Sequence, residues 1–327
     1  MQSLNLASRR PVRRLRDKVV KRRFILPDEL KNGRRLSEAI QCLREKWPTP
    51  VQDTQQEESP VFIFSAGWRS GSTLLQRLII SSGEVAVWGE PLGEAGIIPR
   101  LAMAISAIDR RWPPDQYFLR SVDISGLSNQ WIANLTPDMA FLWRSQRAML
   151  REWMGAPVKE KLGMERWGFK EVRLTIHHAR YLKWLFPNAR FLFIYRNLYD
   201  SYRSWKGNQW RNLWPGYYSR SPAIYALHWK HLLGGFLDGY KDVDGMMIRF
   251  EDLIAGKLDL ACIASHIGVR NLDPGVLSQK IGSPKRDEKK KREKLSSYER
   301  LVLSAVAAPM LKRAGYPHAI GGASQGG

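Results

Sequence analysis

Uninterrupted apolar runs of four or five residues punctuate the chain, and longer stretches between them carry apolar residues at helical spacing. Val61 to Phe64 and Phe191 to Tyr195 show no polar alternation, which predicts strands covered on both faces, as in a parallel sheet. Val85-Ala86-Val87-Trp88 reads as another short strand, running into a turn at Gly89-Glu90-Pro91. From Ala95 to about Glu165 apolar positions recur at helical spacing, first at Leu101, Ile105 and Ile108, then at Met139, Leu142, Trp143 and Met149. Pro113-Pro114 and Pro157 interrupt that pattern. Strands alternating with helices predict an α/β protein: a parallel sheet flanked by helices on both faces, with a helical insertion. No internal repeat is visible.

The strand at Val61 to Phe64 leads into Ser65-Ala66-Gly67-Trp68-Arg69-Ser70-Gly71-Ser72-Thr73-Leu74-Leu75, a small-residue turn opening a helix. Such a turn lets successive backbone N–H groups converge, and the helix start adds unpaired donors and the positive end of its dipole. Ser72 and Thr73 contribute hydroxyls. A nucleotide triphosphatase loop places lysine after its second glycine and uses the next hydroxyl to hold magnesium. Here Ser72 fills the lysine slot and the cation, Arg69, precedes Gly71, so the loop suits a terminal group that needs no bridging magnesium. The alternative is an ordinary strand-to-helix turn. A second anion site is readable in Arg196, at the carboxyl end of the Phe191 to Tyr195 strand where open α/β sheets bind ligands, and Ser204, eight residues on. Two helical turns can return Ser204 to the same side, and an arginine fork with a hydroxyl suits a phosphate monoester. The plain alternative is an arginine capping a strand and a serine on a solvated helix.

Arg69-Ser70-Gly71-Ser72-Thr73 resembles the 5′-phosphosulfate loop of the sulfotransferases, enzymes that use 3′-phosphoadenosine 5′-phosphosulfate as donor, and Arg196 with Ser204 resembles their grip on the 3′-phosphate. The resemblance implies a P-loop-type fold without a metal. Trp167-Gly168-Phe169-Lys170-Glu171-Val172-Arg173 looks like the family's short strand whose lysine, here Lys170, contacts the transferring sulfuryl group. Met247-Ile248-Arg249-Phe250-Glu251-Asp252-Leu253 is similar to its late strand, and the helix near Leu295 to Gly315 closes on Gly315-Tyr316-Pro317 as in many members. The likeness runs from about residue 60 to 317. The Glu90 turn is similar to that of the tyrosylprotein sulfotransferases, where a glutamate is the catalytic base. Many cytosolic members instead carry a histidine two positions after the lysine; that position is Val172 here. Glu90 is therefore the candidate base, with an exposed loop acid or an ion partner for Arg69 as the alternatives.

The resemblance implies transfer of the sulfuryl group to an acceptor hydroxyl on a glycan, lipid, phenol or peptide, in line, with Arg69, Lys170 and the loop amides opposing negative charge. A nucleotide or small-molecule kinase of P-loop fold is the rival enzyme; Ser72 in the lysine slot and the lack of an evident acidic strand end for magnesium count against it. No metal site is legible: His177 and His178 are neighbours and face different ways, and Cys42 and Cys262 are isolated. Two cysteines in 327 residues suggest a reducing compartment. Trp205, Trp210 and Trp214, with Tyr217 and Tyr218, are candidate acceptor-lining rings, although core packing accounts for most tryptophans.

The formal charge of +21 is concentrated. Residues 1 to 23 hold nine Lys or Arg against one Asp, and Lys285 to Lys294 hold seven basic against three acidic residues. The first segment reads as a solvated arm or as peripheral contact with an anionic membrane or another polyanion. Charge alone also raises a nucleic-acid-binding protein, but no recognisable motif for specific nucleic-acid binding accompanies it. Lys285 and Arg286 resemble the late basic loop that closes the family's 3′-phosphate site. The expected organisation is an arm, short helices within Leu26 to Trp47 and a polar linker at Gln52 to Ser59 over residues 1–58, a catalytic domain over 59–318, and a disordered tail over 319–327. No apolar run reaches membrane-spanning length and no apolar signal region is present, so a cytoplasmic enzyme is expected.

Overall fold

The computed structural model describes residues 33–47, 58–119, 124–129, 132–206, 212–214, 217–218, 221–279 and 294–316. Its strands are β1 (Val61–Ser65), β2 (Val85–Trp88), β3 (Arg166–Glu171), β4 (Arg190–Tyr195), β5 (Asn212–Trp214), β6 (Tyr217–Tyr218) and β7 (Gly245–Arg249). Five of them form a wholly parallel sheet in the order β2-β3-β1-β4-β7, while β5 and β6 pair antiparallel outside it. The helices of eight residues or more are α1 (Gly33–Lys46), α2 (Ser72–Ile80), α3 (Met139–Leu150), α4 (Ile176–Leu185), α5 (Leu198–Lys206), α6 (Pro222–Gly239), α7 (Leu260–Ile267) and α8 (Ser297–Arg313).

The apolar runs are buried on both sides because helices cover both faces. In β1, side-chain alternation sends Phe62 and Phe64 to one face and Val61 and Ile63 to the other. The first face meets α1, α4, α6 and α8 through residues such as Leu43, Leu182, Trp229 and Leu303; the second meets α2 and α7 through Leu75, Leu78 and Ile263. This is the α/β arrangement expected from the sequence. The chain leaves β1 toward β2 on one side and leaves β4 toward β7 on the other. A crevice therefore opens where the carboxyl ends of β1 and β4 lie side by side.

Helix α1 changes the expected organisation. Leu36, Ala39, Ile40, Cys42 and Leu43 belong to the same buried cluster as the sheet, and the Ser37 hydroxyl lies 2.8 Å from His177 Nδ1 on α4. Burying each large aliphatic side chain contributes roughly 1.5–3 kcal/mol, which docks the helix firmly. Residues 33–47 thus pack with the domain from which a boundary at residue 58 would separate them. The helical insertion is also packed down: Trp143 on α3 donates to the Trp184 carbonyl at 2.9 Å, and the Tyr181 hydroxyl donates to Gln146 at 2.9 Å. A π-helical turn, Arg151–Gly155, follows α3, and Trp88 at the end of β2 donates to the Met154 carbonyl at 2.8 Å. Among the described residues no helix is long and apolar enough to cross a membrane.

Candidate active site

The loop after β1 is built by backbone geometry. Gly67 and Gly71 adopt left-handed conformations with φ of 84° and 92°, and Arg69 does so as a non-glycine residue with φ 65°. A Cβ on Gly71 would collide with the ring of Phe250, so the turn tolerates no side chain there. Holding Arg69 in this region costs about 1–3 kcal/mol, a strain that persists where the surroundings impose it. The Ser70 hydroxyl lies 3.2 Å from the carbonyls of both Ala66 and Gly67, and the Ser65 hydroxyl donates to Gly67 at 2.8 Å. Tyr225 on α6 donates to the Trp68 carbonyl at 2.7 Å. Ser70 and Ser72 are buried and Thr73 is exposed. Gly71 caps α2 without a side chain, so the N–H groups that open the helix face outward with no capping oxygen of its own.

Arg196 follows β4, and its carbonyl accepts from Trp229 of α6 at 3.1 Å. Its guanidinium lies 4.4 Å from the centre of the Phe250 ring, and Nη1 reaches the Arg69 carbonyl at 3.4 Å. Burial lowers the proton affinity of this guanidinium, yet arginine stays protonated in any ordinary pH range. Asn197 accepts from the Tyr199 amide at 2.9 Å and so starts α5, which brings Ser204 back over the loop. The Ser204 hydroxyl then accepts from Arg69 Nε at 2.9 Å. Arg69, Arg196 and Ser204 therefore form one continuous cluster across the crevice.

The remaining candidates meet on the other side of the loop. Lys170, on β3, donates to Glu90 Oε1 at 2.6 Å, and Arg173 Nη1 donates to Glu90 Oε2 at 2.7 Å. The same Arg173 nitrogen donates to Glu171 Oε1 at 2.9 Å, and its guanidinium lies 4.5 Å from the Trp68 ring centre. Burial works against the charge on Glu90, but Lys170 and Arg173 outweigh it and hold this carboxyl below its usual range. Glu171 behaves oppositely: burial, with the charge of Glu90 adding to it against the pull of Arg173, pushes its carboxyl up to about 7. The ion partners of Glu90 are thus Lys170 and Arg173, and Arg69 turns instead toward Ser204. Arg173 and Glu171 were not singled out from the sequence; the available signal was the crowding of three charges into four residues, Lys170 to Arg173, at the end of a strand.

His177 faces α1, while the imidazole of His178 caps α4 together with Thr175 at 2.9 Å. No group of three or more metal-ligating side chains occurs among the described residues. Trp205 is buried against Tyr202 and Tyr225, a packing role. Trp214, Tyr217 and Tyr218 belong to the small antiparallel pair. Trp210, Lys285, Arg286, the basic segment 1–23, the linker positions 52–57 and the tail 319–327 lie outside the described residues. Glu251 joins the late strand to the site's frame, accepting from the Asn197 amide at 2.9 Å and the Tyr316 hydroxyl at 2.8 Å.

A parallel sheet whose central strand opens into a small-residue loop and a helix, facing an arginine at the end of its neighbour, defines an α/β protein. Residues 60–264 match the sulfotransferase family model, and the chain belongs to that family of transferases. No curated protein matches the sequence. Among solved structures it is similar to the sulfotransferase domain of the curacin biosynthetic pathway, at 14% identity and a TM-score of 0.41, covering 80% of this chain and 98% of that one. It is also similar to the sulfotransferase domain of the Synechococcus PCC 7002 olefin synthase, at 18% identity and a TM-score of 0.40 over 79% and 97% of the two chains. A third is sulfotransferase STF9 from Mycobacterium avium, at 14% identity and a TM-score of 0.40 over 92% and 89%.

Proposed function

We propose that this sulfotransferase uses 3′-phosphoadenosine 5′-phosphosulfate as donor and a hydroxyl-bearing acceptor, a glycan, lipid, phenol or peptide, with Glu90 as the base. The observation that carries the reading is the convergence of Arg69, Ser204 and Arg196, with Arg69 Nε 2.9 Å from Ser204 and Arg196 Nη1 3.4 Å from the Arg69 carbonyl. Two guanidinium groups and a hydroxyl beside the uncapped start of α2 suit a nucleotide with phosphate at both ends. The fit is supported by Arg196 Nε, a buried donor with no partner among the described residues, which a phosphate oxygen would satisfy.

When bound, the donor supplies an activated sulfuryl group and keeps the electron pair of its broken sulfur–oxygen bond. The chain's own residues do the rest. Ser70, Gly71, Ser72 and Thr73 would hold the 5′ end through amides and hydroxyls, and Arg196 with Ser204 the 3′-phosphate. Lys170 and Arg69 offset negative charge at the site of transfer. Glu90 receives the proton that the acceptor hydroxyl loses, and its two cationic neighbours keep it ionised, the form a base needs near neutral pH. Calorimetry with adenosine 3′,5′-bisphosphate tests the assignment. Binding to the unaltered protein, weakened about tenfold or more in Arg196→Ala, is the expected result for loss of a charged hydrogen-bonding partner; equal affinities would overturn it. Transfer that persists with a chelator present would separate the enzyme from a magnesium-dependent kinase.

A further inference from the structure

Behind Glu90 lies a second carboxylate that the proposed reaction does not use. Glu171 ends β3 with 6% of its side chain exposed, and Arg173, with 4%, stands between it and Glu90. A single nitrogen, Arg173 Nη1, donates to Glu90 Oε2 at 2.7 Å and to Glu171 Oε1 at 2.9 Å. The Val172 amide donates to that same Glu171 oxygen at 2.7 Å. The guanidinium lies over the ring of Trp68, in the loop after β1, 4.5 Å from its centre. The segment from Pro91 to Pro99 closes the other side through Pro91, Ile97 and Ile98, around a cavity of about 10 Å³. That space admits a single water at most, so little solvent screens these charges. The charged and titratable groups facing Glu171 and Arg173 are Glu90 from the turn after β2, Lys170 beside it on β3, and His228 from α6, whose imidazole burial keeps neutral.

We propose that Arg173 and Glu171 are positioning residues for Glu90: the guanidinium fixes the direction of its carboxylate, and the second carboxylate sets how tightly it holds a proton. The inference rests on the reading of Glu90 as the base. Paired with Glu90 alone, Arg173 and Lys170 would make a well-ordered but weak base, because two cations at hydrogen-bonding distance favour the ionised form. Sharing Arg173 with Glu171 withdraws part of that pull and restores proton affinity. It also prepares for the proton's arrival. Once Glu90 is neutral, Arg173 keeps Glu171 as its counter-ion at pH values above about 7, where that carboxyl is ionised, so no unpaired cation is left in a buried site.

Glutamate side chains labelled with carbon-13 allow the full chain, without donor, to be titrated by NMR, with the Glu90 signal assigned by its loss in Glu90→Gln and the Glu171 signal by its loss in Glu171→Gln. As the pH falls Glu171 takes up its proton before Glu90 does, so the coupling is read on Glu171. Glu90→Gln, which preserves shape, is expected to lower the Glu171 midpoint by about half a pH unit or more, the sign for removing a neighbouring negative charge. The double variant Arg173→Met with Glu171→Gln, which strands fewer buried charges than Arg173→Met alone, is expected to raise the Glu90 midpoint. Adenosine 3′,5′-bisphosphate should bind both variants as tightly as the unaltered protein. A Glu171 midpoint that stays put in Glu90→Gln, or a Glu90 midpoint that does not rise in the double variant, would overturn the proposal, as would loss of bisphosphate binding in both. If Glu90→Gln keeps full sulfuryl transfer, the reading of Glu90 as base fails, while the titration still decides whether the three side chains are coupled.

Discussion

At the scale of single residues, the proposed reaction depends on Glu90 being ionised, oriented and reachable. Glu90→Gln keeps the shape and both neighbouring donors but removes the proton acceptor. It should reduce transfer of labelled sulfonate to a probe phenol such as 2-naphthol by about 10²- to 10⁴-fold, the usual share of a positioned base, with bisphosphate affinity unchanged by calorimetry. Near-normal turnover would assign the base elsewhere. Arg69, Gly71, Arg196 and Ser204 could be singled out as candidates because they sit at fixed offsets from apolar strands, and Lys170 through the family resemblance. Arg173 was not. It lies beyond the end of β3, and only the fold shows its guanidinium turned inward between two carboxylates. The side chain of Arg69 was also beyond sequence reasoning, because its direction follows from a left-handed backbone that a non-glycine residue rarely adopts.

At the scale of elements, uninterrupted apolar runs announced β1 and β4, and the turn after each followed from strand-to-helix logic. Helix α1 was harder to place. Its sequence is rich in charge, and its apolar stripe, Leu36, Ala39, Ile40 and Leu43, makes sense only against α4 and the sheet. Propensity carries no information about which surface a stripe will meet. Ile40→Ala should therefore destabilise the whole domain by about 2–4 kcal/mol, as core truncations do. Chemical denaturation followed by both tryptophan fluorescence and far-ultraviolet dichroism should show one shifted transition. An unshifted midpoint would mean that α1 docks without contributing to the cooperative unit.

At the scale of the whole molecule, charge and catalysis are separable on the proposed reading. Residues 1 to 23 carry nine of the 52 basic side chains, yet none of the site candidates lies within them. Removing that segment should weaken binding to anionic phosphatidylserine vesicles at least about tenfold, given about 1 kcal/mol per basic residue near such a surface. Transfer to a soluble phenol should be unaffected; parallel loss of both would tie the arm to the site. The order of the sheet carries a longer consequence. Arg69 and Arg196 follow adjacent inner strands, whereas Glu90 follows an edge strand, next to the helical insertion. On the proposed reading, evolution can rewrite that margin, and with it the choice of molecule to be sulfated, while the grip on the nucleotide is inherited untouched.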